Sequence, residues 1–142
     1  GPSAEATIEF IKTQLMLHGK STGSWDAGGG TKFKSESRVE SFDVQGGVVT
    51  LVTETTLISM TARHAGETLS PVVERTSFRL VDLSSAGTRT DSLRGEGIWI
   101  ISETWEQVAW FPLQNSEVRT RVIKALGHII DLAHDQKEPD PF

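Results

Sequence analysis

The sequence predicts an α+β fold: an N-terminal helix, a curved antiparallel sheet of about five or six strands, and a C-terminal helix that closes the sheet. Three observations carry this. The two ends of the chain repeat apolar residues at helical spacing, whereas the stretch between them alternates with period two. Strand-like runs are joined by short glycine-containing segments of the kind that make hairpins. No strand–helix–strand alternation occurs, which excludes a doubly wound parallel sheet.

The first element is "SAEATIEFIKTQLMLHG". Ser3 is a helix cap by type, Glu5 and Glu9 suit the positive end of the helix dipole, and His18 suits the negative end. Ile8, Ile11 and Leu15 share one face, and Gly19 is a natural stop because it accepts the left-handed conformation. A helix from Ala4 to His18 follows. The next segment, "KSTGSWDAGGGTK", is Gly, Ser and Thr-rich and reads as a loop with Trp25 standing alone in it. Its GGG run lacks the Gly-Lys-Ser/Thr order between strand and helix that a phosphate loop needs.

From Lys32 the period becomes two. "KFKSESRVESFDV" and "VVTLVTETTLISM" flank Gly46-Gly47 and read as a hairpin. "TARHAGETLSP" is a loop. "VVERTSFRLVDL" places Val72, Phe78 and Leu80 on one face and Arg75, Ser77 and Arg79 on the other. "SSAGTRTDSLRGEG" reads as a third loop. "IWIIS" and "TWEQVAWFPL" form a second hairpin about Ser102, Glu103 and Thr104, with Trp105, Gln107, Ala109 and Phe111 on a shared face. The last helix begins at Asn115 or Ser116, both good caps. Val118, Val122, Leu126, Ile129 and Ala133 form its apolar stripe, and Pro139 and Pro141 end it. The strands-then-helix order has the logic of pleckstrin-homology-like, partly open barrels, an architectural analogy that carries no function.

Composition narrows the function. The 142 residues fit one domain, with 37% hydrophobic and 23% charged residues and a net charge of −5. Gly1-Pro2-Ser3 looks like the remnant of a cleaved cloning site, leaving residues 4–142 as a single globular domain. The 14 basic residues are dispersed, which argues against a nucleic-acid groove. Cysteine is absent, which removes thiolate chemistry and cysteine-ligated metals. No apolar run is long enough to span a membrane, and no cofactor motif is present.

Four stretches carry a resemblance: "TIEFIKTQLMLHG", "RVESFDVQGGVVTLV", "SFRLVDL" and "FPLQNSEVRTRVIKALGHIIDLAHDQKEPDPF". Together they resemble a domain found in many bacterial proteins, often secreted or envelope-associated, whose biochemical function is not established. Its C-terminal helix carries an Ala-Leu or Ala-Phe pair, then His and an aliphatic pair, before a closing Pro-Phe; here these are Ala125, Leu126, His128, Ile129, Ile130, Pro141 and Phe142. Relatives of that kind often carry cysteines where this chain has Gly47 and Ala133, so no disulfide transfers. The resemblance implies an extracytoplasmic bacterial setting and no catalytic residues.

Four constellations compete for a role. His128, Asp131 and His134, with Asp135, sit at helical spacing. Positions 128 and 134 diverge by about 120° around a helix, so one helix supplies two ligands at most and a site would need His64 or Glu67 from elsewhere. A solvated helix face is the simpler expectation. Serine-hydrolase geometry is lacking, and Glu103 and Glu106 fall on opposite strand faces, which argues against paired-carboxylate chemistry. Arg75 and Arg79, with Arg63 nearby, are expected to pair with acids such as Glu54 or Glu103. The aromatic set Trp99, Trp105, Trp110 and Phe111 is the best binding candidate. Trp99 alternates with Ile98 and Ile100, so both faces of its strand are apolar, and the second is either covered by the N-terminal helix or left for a partner or an apolar ligand.

The first expectation is therefore a non-enzymatic interaction module with a protein partner near Trp99 to Phe111. The alternatives are a carrier of a small apolar ligand between sheet and C-terminal helix, and an enzyme with a site near His128.

Overall fold

The structure, a computed structural model, describes residues 1–136; Pro139, Pro141 and Phe142 lie outside the described residues. Helix α1 (Ala4–His18) leads into strands β1 (Lys20–Gly28), β2 (Thr31–Gln45), β3 (Val48–Ser59) and β4 (Val72–Arg79). A 3-10 turn (Leu80–Asp82) precedes β5 (Leu83–Asp91), β6 (Gly95–Ser102) and β7 (Gln107–Pro112), and helix α2 (Ser116–Gln136) follows. All strand pairs are antiparallel and consecutive, in one sheet ordered β1-β2-β3-β4 and a second ordered β5-β6-β7.

The helices form where the apolar spacing placed them. Ser3 Oγ accepts the Ala6 N–H to cap α1, and Thr7, Ile11 and Leu15 are its buried stripe. Asn115 Oδ1 accepts the Val118 N–H to cap α2. Gly19 is needed for a different reason from the one its position suggested. Its φ is −74°, outside the left-handed region. A Cβ there would lie 2.4 Å from the Leu15 carbonyl and 2.9 Å from the Val39 side chain, so close approach, not handedness, requires glycine.

The predicted single sheet of about five or six strands is corrected to two sheets of four and three strands, with no closed barrel. The difference is two strands, β1 and β5, whose sequences read as loops. Neither has an apolar face to alternate. In β1 and the facing part of β2 the inward positions are Ser21, Ser35 and Ser37, all buried. Two of these hydroxyls dock the turn between β5 and β6, while Ser37 Oγ pairs with Thr55 Oγ1 of β3. Ser21 Oγ donates to the Arg94 carbonyl and Ser35 Oγ to the Leu93 carbonyl, each at 2.7 Å. Gly23 allows the approach, because a Cβ on it would fall 2.1 Å from the Leu93 carbonyl oxygen. Polar side chains here replace apolar burial as the joint between the sheets.

A bulge in β2 between Val39 and Ser41 shifts the pairing by one residue. It moves the inward positions from odd numbers (Ser35, Ser37, Val39) to even ones (Phe42, Val44). The core is one cluster at this end. Ile11 and Leu15 of α1, Phe42 and Leu51 of the first sheet, Ile98, Ile100 and Phe111 of the second, and Val122, Leu126 and Ile129 of α2 pack together. Each such side chain contributes about 1.5–3 kcal/mol through burial. Arg119 is buried on α2 but satisfied, donating to the Leu113 and Gln114 carbonyls and to Glu96.

Candidate functional site

The four aromatic residues singled out in the sequence occupy three different environments. Phe111 is 0% exposed and belongs to the core with Ile98 and Ile100. Trp99 and Trp110 pair across β6 and β7 on the opposite face of that sheet. The second face is covered, but not by the N-terminal helix. Two arginines cover it: the Arg89 guanidinium carbon lies 4.5 Å from the Trp99 ring centre, and that of Arg94 lies 4.2 Å from Trp110. Glycines make room beneath the rings. A Cβ on Gly97 would meet the Trp110 ring at 2.6 Å, and one on Gly87 would meet Trp99 at 3.1 Å. Trp110 is buried and its Nε1–H donates to the Arg89 carbonyl at 3.1 Å.

Arg94 is the hinge of this stack. Its guanidinium pairs with Asp91 at 2.9 Å and reaches Glu74 of β4 at 4.0 Å, tying the second sheet to the first. Asp91 also accepts the backbone N–H groups of Leu93 and Arg94, which closes the β5–β6 turn. Partial burial pushes the Asp91 carboxyl up, but the Arg94 side-chain hydrogen bond, the two backbone donors and the Arg94 charge outweigh it. The net effect holds Asp91 below its ordinary value.

Trp105 does not share a strand face with Gln107, Ala109 and Phe111, as the sequence suggested. It lies in the turn between β6 and β7, with a left-handed φ of 65°, and its surface is 80% exposed. Among the described residues it alone combines a side chain with a positive φ. For a bulky residue that backbone costs about 1–2 kcal/mol. The turn is held from all sides. Ser102 Oγ accepts the N–H groups of Thr104 and Glu106, the Trp105 N–H donates to the Ser102 carbonyl, and the Glu103 N–H donates to the Asp82 carbonyl. His134 Nε2 of α2 lies 3.4 Å from Glu103 Oε1, close enough to pair when the imidazole is charged but without hydrogen-bond geometry. The indole therefore projects into solvent from a turn held by the Ser102 side chain and backbone and by the Asp82 carbonyl.

The histidines are kept apart. His128 Nε2 lies 2.7 Å from the Pro2 carbonyl; a carbonyl only accepts, so Nε2 carries the hydrogen. His64, in the β3–β4 loop, pairs with Glu67 at 3.1 Å. Asp131 and Asp135 are exposed. No group of three or more His, Asp or Glu suited to a metal forms among the described residues. The expected pairing of Glu54 with Arg75 or Arg79 is corrected. Glu54 faces Arg38 across β2 and β3, at 3.5 Å, because that register puts them side by side.

Two surfaces had no signal in the sequence. Trp25 stacks on Phe33 across β1 and β2, with ring centres 5.6 Å apart, near the exposed Met60. An apolar groove of about 480 Å³ runs between α1 and α2. Only the recognition that β1 is a strand, in register with β2, would have joined Trp25 to Phe33. No helix among the described residues is long and apolar enough to cross a membrane. Comparison with protein-family models, curated proteins and solved structures finds no match for this chain.

Proposed function

We propose that this chain is a non-enzymatic interaction module that docks a protein partner through the indole of Trp105. The observation that carries the reading is the state of that residue: a large aromatic side chain, 80% exposed, on backbone that favours glycine. Strained backbone persists only where the surrounding structure over-determines it, and such positions cluster at functional sites. Tryptophan is the side chain most enriched among interface residues that dominate binding. The braced turn holds the indole ready, so little ordering entropy is lost on docking. The placement of the module in a bacterial secreted or envelope-associated protein belongs to the same proposal and rests on the resemblance alone.

The test is a displayed-peptide selection on the chain, with the enriched peptides then measured against Trp105→Gly. The reading expects peptides that lose at least about tenfold affinity for the variant and that shift the tryptophan emission of the wild type to the blue. Enriched peptides that bind both proteins equally, or no enrichment above the variant's background, would refute it.

A further inference from the structure

The groove between α1 and α2 has a chemistry of its own. The two helices run antiparallel past each other, with Phe10 beside Arg121 and Pro2 beside His128. Ala6 and Phe10 of α1 and Ala125 of α2 give the groove an apolar lining. Arg121, Lys124 and His128 project along the same side of α2, one turn apart. Neither Arg121 nor Lys124 makes an ion pair among the described residues. The nearby acids Glu5, Glu9 and Glu117 lie outside the lining. Two unpaired cations on an apolar groove are notable in a chain whose net charge is −5.

The Arg121 guanidinium stands over the Phe10 ring, 5.2 Å from its centre. Stacking of this kind occupies the flat face of the group and leaves its in-plane N–H donors free for a carboxylate. Lys124 adds a second positive charge one turn on. A ligand that fits has an anionic head at Arg121 and Lys124 and an apolar tail lying over Ala6 and Ala125. The volume, about 480 Å³, is in the range of small-molecule sites.

We infer that this groove binds a free single-chain carboxylate amphiphile of the medium-chain fatty-acid class, head toward Arg121 and Lys124 and tail along Ala6 and Ala125. The site lies between two helices, not between sheet and helix where the sequence placed a carrier cavity, and it is independent of the Trp105 reading. Calorimetric titration of the chain with decanoate, below its micelle concentration, tests it. Decanoate binds at one site, decanol binds at least about tenfold more weakly, and the double variant Arg121→Gln/Lys124→Gln lowers the decanoate affinity by at least about tenfold. Ala6→Trp, which fills the groove from an exposed position of its lining, abolishes binding of both while leaving the melting temperature close to wild type. Equal affinity for decanoate and decanol, an unchanged affinity in the double variant, or binding to phosphatidylglycerol vesicles without binding to free decanoate would overturn the inference.

Discussion

Arg94 covers Trp110: its guanidinium carbon sits 4.2 Å from the ring centre, and the same group pairs with Asp91 and reaches across to Glu74 on the other sheet. One side chain thus covers an aromatic, closes a turn and joins two sheets.

Arg94→Met keeps the stem and removes the charge. It should destabilise the fold by about 1–3 kcal/mol, because it removes a partly exposed cation–π contact together with a charge-assisted hydrogen bond and the two are not additive. Urea unfolding checks this. A loss below about 0.5 kcal/mol, the scale of an ordinary surface change, would mean that the stack does not hold the sheets together.

Asp91 makes the same region sensitive to acid. Its folded pKa lies below the ordinary 3.8, so its ionised form stabilises the fold above that value. The stabilisation is lost as pH falls through 3.8 and on through the lower folded value. The stability difference between the wild type and Asp91→Asn should therefore be positive at neutral pH and shrink from about pH 4 downward. A difference that does not change with pH would show that Asp91 acts only through its shape.

Two glycine substitutions should have opposite signs. Gly97→Ala would bring a Cβ to 2.3 Å from the Phe111 carbonyl and 2.6 Å from the Trp110 ring, and should destabilise by about 1–3 kcal/mol or more. Gly127→Ala, within α2, meets nothing within 4 Å and should stabilise by about 0.5–1 kcal/mol through helix propensity. Melting curves that move in the same direction would contradict the packing of β6 on β7.

Leu126→Ala removes a buried side chain from the stripe that closes the second sheet and α1. The expected loss is about 2–5 kcal/mol, read as a shift in the urea midpoint at constant slope. A midpoint that stays in place would mean that α2 does not close the core.

Both helices, the hairpin about Gly46-Gly47 and the β6–β7 pair were legible because burial on them is apolar and periodic. Residues such as Ile11, Leu15, Val122 and Leu126 announce their face. The β1 and β5 strands were not legible, because what buries them is polar or small. Ser21 and Ser35 spend their hydroxyls on the carbonyls of Arg94 and Leu93, and Gly87 makes space for Trp99. Periodicity of hydrophobicity cannot register a joint made of hydroxyls and glycines. The bulge after Val39 reverses which numbers point inward, so no single alternation runs the length of β2. At the site, the sequence grouped Trp99, Trp105, Trp110 and Phe111 as one set, whereas the structure divides them among the core, the arginine-covered face and a turn. A tryptophan in a five-residue spacing looks like a strand residue until the turn around Ser102 takes it out of the ladder.

The reading of Trp105 as a strained, free anchor is tested most directly by the thermal melt of Trp105→Gly. Glycine relieves the left-handed backbone and, at 80% exposure, little burial is lost with the indole. The variant should therefore be more stable than the wild type by about 0.5–1 kcal/mol, with the melting temperature raised accordingly. A variant destabilised by more than about 1 kcal/mol would show that the indole packs against the domain, and that it is not held out for a partner.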